Sequence, residues 1–144
     1  MKRAIALSVV AACALSGAVA VAATPKTGTF KAGEGQVQRG YDLKFKVDRK
    51  GKRIKGLVAH VLETCDGSST SSTTTVGPAL TWKVTKDGRF SGRKKESSGG
   101  VTLYTTLAGR FTSATRATGT IRQESIVAGS QCDTFKLKFT AKRG

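Results

Sequence analysis

The chain has 144 residues, of which 25 are Lys or Arg and nine are Asp or Glu, a net charge of +16. That field draws polyanions and disfavours cationic partners. A single histidine, only three cysteines and no C-x-x-C, H-x-H or G-x-S-x-G leave little material for a metal centre or a His-dependent nucleophile.

Met1, Lys2 and Arg3 form a short cationic start, and residues 4–23 are apolar and end in small residues. Charge, apolar stretch and an A-x-A end predict a secretory signal peptide over residues 1–22, cleaved after Ala22. An uncleaved anchor is disfavoured by the Ala-rich run and its small-residue end. Lipidation at Cys13 is disfavoured because the apolar run continues well past it. The remainder, residues 23–144, has the size of one domain and buries about two-thirds of its unfolded surface. Cys65 and Cys132 then remain as an even pair, which in an exported chain predicts a disulfide. Its long loop makes the bond worth roughly 4 kcal/mol in the chain-entropy view.

Taken in order, residues 27–31 predict a short strand and residues 33–40 a Gly-rich loop. Residues 41–47 alternate, with Leu43, Phe45 and Val47 inward and Lys44 and Lys46 outward. A turn at residues 48–53 has Gly51 for positive φ. Residues 54–65 are apolar on both faces around Leu57 to Leu62, as a central strand would be. Residues 68–75 are eight hydroxyl side chains in a row, read as part exposed strand and part loop. Residues 81–92 predict a hairpin around Asp87-Gly88.

Three long strands follow. Val101, Leu103, Thr105, Leu107, Gly109 and Phe111 share one face of the first. Ala117, Gly119, Ile121 and Gln123 share one face of the second. The third, residues 132–144, sets Phe135, Leu137, Phe139 and Ala141 inward and Lys136, Lys138 and Lys142 outward. No helical period past residue 23 is sustained. The expected fold is all-β: an antiparallel up-and-down meander of seven to nine strands, barrel-like or folded over as a sandwich, because closure removes edges. Gly56, Gly109 and Gly119 at inward positions predict curvature or close packing.

For chemistry, His60 sits among apolar neighbours and reads as a satisfied or partly buried core histidine. Glu63 and Glu124 lie within strands and are the carboxylates with a chance of facing each other. Otherwise the nine acids sit mostly at turns, so no catalytic pair, no cofactor and no metal are expected. Gly33-Glu34-Gly35 lacks the Lys-Ser/Thr ending of a phosphate loop. The basic clusters carry the functional expectation. Arg49, Lys50, Lys52, Arg53 and Lys55 put five cations into seven residues, and Arg89, Arg93, Lys94 and Lys95 form a second group. Tyr104 is the aromatic predicted to face outward, too few for sequence-specific nucleic-acid binding.

Gly109-Arg110-Phe111-Thr112, Ala117-Thr118-Gly119-Thr120-Ile121 and Cys132-Asp133-Thr134 through Arg143 resemble a group of small exported actinobacterial proteins. Gly28-Thr29-Phe30 and Cys65 extend the resemblance over most of residues 23–144. That group is functionally uncharacterised; the resemblance implies export, the disulfide and an all-β fold, and transfers no catalytic residue.

The reading is thus a secreted, monomeric, non-enzymatic β domain, without a transmembrane segment after cleavage, that associates with anionic surface polymers such as cell wall or acidic polysaccharide. The alternatives are a lipocalin- or avidin-like barrel holding a small ligand near Trp82, Leu103 or Phe111, and a hydrolase inhibitor inserting the Ser/Thr segment.

Overall fold

The computed structural model describes residues 23–37, 40–75 and 80–144; the expected signal peptide, residues 1–22, lies outside the described residues. Ten strand segments are antiparallel: β1 Gly28–Ala32, β2 Gly40–Val47, β3 Arg53–Cys65, β4 Ser68–Thr75, β5 Trp82–Lys83, β6 Arg89–Ser98, β7 Val101–Ser113, β8 Arg116–Val127, β9 Ser130–Asp133 and β10 Leu137–Arg143. Among the described residues no helix is long and apolar enough to cross a membrane. The whole hydroxyl-rich stretch, residues 68–75, is strand and pairs with β3 from Val58 to Cys65.

The sheet runs β10-β1-β2-β3-β9-β8-β7-β6, and β8 also pairs with β10. One edge of β8 holds β9 from Glu124 to Val127 and β10 from Arg116 to Ile121, so the hydrogen bonding returns on itself as a ring. This is the expected all-β meander with closure. The hairpin predicted at residues 81–92 is only partly formed. Its turn is present, with the Thr85 N–H donating to the Arg89 carbonyl at 2.8 Å. However, β5 pairs with β3, Ile54 opposite Trp82, rather than running along β6.

Inside the ring, strand alternation collects five of the six phenylalanines. Phe30 stacks on Phe45 at 5.5 Å, and Phe111 lies against Phe30 at 5.3 Å and Phe90 at 5.5 Å. Phe139 completes the group against Phe45 at 6.3 Å. Gly109 and Gly119 face each other across β7 and β8, and a Cβ on either would strike the opposite backbone and the Phe90 or Phe139 ring. Close packing is therefore the reason for glycine there. Gly56 is different. At φ +58° it has open space around it, and it forms a bulge in β3. Ile54 is inward before it, and Leu57, Ala59 and Val61 after it.

A second parity change corrects the expectation for the closing strand. Cys132 and Thr134 are inward, then Leu137, Phe139 and Ala141. Phe135, expected in the core, is 56% exposed at φ +56°. The Cys65–Cys132 disulfide is formed, with an S–S distance of 2.01 Å, and joins β3 to β9 where those strands pair.

Candidate functional site

Because Phe30 and Ala32 on β1 and Leu43, Phe45 and Val47 on β2 are buried, Lys31, Lys44 and Lys46 must stand outward. Antiparallel register then fixes their neighbours. Lys31 lies opposite Lys44 on one side and Lys142 on the other. Lys46 lies opposite Lys55, and Arg53 opposite Lys83. The Gly56 bulge produces the Lys46–Lys55 match, since the register shifts between Lys44 and Lys46.

These contacts form a cationic belt across β10, β1, β2, β3 and β5. Directly opposed side chains have Cβ atoms about 5 Å apart, and like charges so placed destabilise a sheet by a few tenths to about 1 kcal/mol per pair. Among the described residues, none of Lys31, Lys44, Lys46, Arg53, Lys55, Lys83 and Lys142 is in an ion pair. Four carboxylates are matched elsewhere: Asp42 with His60, Asp87 with Arg89, Glu124 with Arg93 and Arg122, and Asp133 with Arg122. The belt surrounds a shallow groove of about 590 Å³ walled by Lys31, Lys44, Lys46 and Lys55.

At the turn end the belt continues. Asp48 Oδ1 accepts the N–H groups of Lys52 at 2.8 Å and Arg53 at 3.3 Å, and Gly51 takes φ +66°. The Val84 N–H donates to the Lys52 carbonyl at 2.7 Å and ties this turn to the next. Lys50, Lys52, Lys83 and Lys86 thereby line one groove of about 560 Å³ over Pro25. Arg49 is exposed on the same turn. Sequence reading found the five cations at residues 49–55 but missed Lys31, Lys83, Lys86 and Lys142 as their neighbours. The outward parity of Lys31 and Lys142 is legible in the sequence; the register that joins them to the belt is not.

Compared with protein-family models, with curated proteins and with solved structures, the chain matches none.

The second predicted cluster is not brought to the belt, and it is itself divided. Alternation along β6 puts Arg93 and Lys95 outward, where they flank the Tyr104 ring at 4.2 Å and 5.7 Å. Lys94 follows Phe90 and Gly92 on the inward side and is half-buried. Arg93 also contacts Glu124 at 3.1 Å, and Arg122 contacts Glu124 at 3.4 Å. Arg122 grips Asp133 with two bonds of 2.6 Å and 3.1 Å. That grip holds the Asp133 carboxyl below its usual value, helped by the Phe135 N–H and opposed by partial burial. Here positive charge is compensated, whereas on the belt it is not.

The other candidates separate as well. His60 is partly buried and satisfied, as expected, its Nδ1 2.6 Å from Asp42 Oδ1, but it stands on the outer face and not in the core. Glu63 points inward to Ser125 at 3.3 Å, while Glu124 faces outward to the arginines, so the two carboxylates do not form a pair. Glu63, Cys65 and Cys132 bring potential ligand atoms within 4.8 Å of one another, but both sulfurs are engaged in the disulfide.

Proposed function

We propose that this chain is an exported, non-enzymatic β domain that associates electrostatically with anionic surface polymers through the belt and the adjoining turn. The observation that carries this reading is the set of directly opposed, unpaired cations: Lys31 with Lys44 and Lys142, Lys46 with Lys55, and Arg53 with Lys83. A sheet has no folding reason to accumulate like charge in register. A polyanion laid across the strands relieves that repulsion and releases its own counterions. Export rests on the signal-like residues 1–22 and agrees with a disulfide between Cys65 and Cys132. Kinship with the small exported actinobacterial group is part of the same proposal.

Two features weigh against the competing readings. Trp82 and Phe111 are 1% and 3% exposed, packed into the interior that a ligand-holding barrel would leave open. The Ser/Thr segment is bound along β3 as β4 instead of projecting as an inhibitory loop.

The test is retention on heparin and on isolated cell-wall fractions across a salt series. Changing Lys31, Lys44, Lys46, Lys55 and Lys142 together to Ser should lower the eluting salt sharply and flatten the salt dependence of binding. Changing Arg93, Lys94 and Lys95 should do much less. Equal retention of the belt variant and the parent protein rejects the mechanism.

A further inference from the structure

Phe135 is the sixth phenylalanine and the one outside the core, 56% exposed between β9 and β10. Its backbone is at φ +56°, a region that a bulky side chain enters at a cost. The chain meets the same need for a parity change in β3 with glycine, Gly56 at φ +58°. Backbone geometry therefore explains a bulge at 135 but not a phenylalanine there.

The ring is held on a rigid base. The Phe135 N–H donates to Asp133 Oδ1 at 2.7 Å, and Asp133 is itself clamped by Arg122. The Thr134 hydroxyl donates to the Phe135 carbonyl at 3.0 Å and accepts the Gln123 N–H at 2.9 Å. A side chain presented without further ordering cost is what a binding surface requires. The exposed Lys136 adjoins it, and from there β10 leads to Lys142, opposite Lys31 on the belt. At about 3.3 Å per residue, Phe135 stands roughly 23 Å along the strand from Lys142.

We infer that Phe135 is a stacking platform for a sugar ring, so that the polymer recognised is an acidic polysaccharide held by its charges on the belt and by one ring face at the Asp133–Phe135 bulge. This rests on the polyanion reading and narrows it to a ring-bearing polymer. The charge complementarity is that of the belt; the aromatic face adds what charge alone lacks, a preference for an apolar ring surface.

The experiment compares polygalacturonate, linear inorganic polyphosphate and oligo(dT) as ligands for the oxidised protein, Phe135→Leu and Phe135→Gly. Leu keeps an apolar group but no ring face. Both variants should bind polygalacturonate about fivefold to tenfold more weakly, in line with one lost aromatic contact. Polyphosphate, which has charge and no rings, should bind all three proteins alike. Phe135→Gly should also melt about 2–4 °C higher, since the left-handed backbone is relieved. Three outcomes overturn the inference: undiminished polygalacturonate binding, equal losses for polygalacturonate and polyphosphate, or a loss confined to oligo(dT). In each of these the parent protein still binds polyanions, so the belt reading stands. If the parent binds neither polygalacturonate nor polyphosphate, the belt reading falls, and the Phe135 inference with it.

Discussion

Gln123 and Thr105 lie directly opposite each other on β8 and β7, with both side chains turned inward and 0% and 1% exposed. The main chain of Gln123 is satisfied by Thr134, through bonds of 2.9 Å and 3.0 Å. Its carboxamide is not: among the described residues Oε1 and Nε2 have no hydrogen-bond partner, and neither has Thr105 Oγ1. A buried polar group left unbonded costs about 1–3 kcal/mol. Gln123→Met keeps the length of the side chain and removes two such atoms, so it should stabilise the fold by about 1–3 kcal/mol. Thr105→Val removes one atom at nearly constant volume and should add about 1 kcal/mol. The two sites touch, so the double variant should fall short of the sum. Urea unfolding with the disulfide intact is the assay, and the midpoint should rise with an unchanged slope. For a domain of this size each 1 kcal/mol corresponds to about 3–5 °C in Tm. Loss of stability in both single variants would refute the reasoning, because it would mean that these groups are bonded in solution.

Three further outcomes are expected. Lys46→Glu turns the Lys46–Lys55 opposition into an attractive pair, so it should raise stability by a few tenths of a kcal/mol to about 1 kcal/mol while weakening polyanion binding. Thermal melts at low and high salt check this, since screening should erase the gain. Gly109→Ala should cost about 2–3 kcal/mol, because the added methyl would lie 2.8 Å from both the Gly119 Cα and the Phe90 ring; a neutral result would mean that the β7–β8 pair relaxes freely. Asp133 has a depressed carboxyl in the fold, so its contribution is complete above the unfolded value near 4 and is lost as pH falls through the lower folded value. Asp133→Asn should therefore flatten stability against pH below about 4 and leave the curve between about 5 and 8 parallel to that of the parent; an unchanged acid limb would argue against the Arg122 clamp.

The alternation of Leu43, Phe45 and Val47 with Lys44 and Lys46 was readable because a strand exposes a period of two to any reader of the chain. The same rule failed at Phe135, where a bulge inserts one residue and reverses the faces beyond it. Of the two reasons expected for Gly56, curvature or close packing, packing does not apply: the position is open and its left-handed backbone makes a bulge, which bends the strand. Arg93, Lys94 and Lys95 looked like one patch because they are adjacent in sequence, yet adjacent strand residues face opposite ways and two of them flank Tyr104.

From the amino-acid order alone came the all-β class, the inward facing of Phe45 and Phe139, the Cys65–Cys132 pair and the excess of positive charge. These depend on local periodicity or on counting. The choice of partner strand belonged to the tertiary structure: β5 on β3, β8 shared between β9 and β10, and Lys31 between Lys44 and Lys142. Register joins residues more than a hundred positions apart, and it is set by how the Phe30, Phe45, Phe90, Phe111 and Phe139 rings fill one interior. That packing is what turns scattered lysines into a belt.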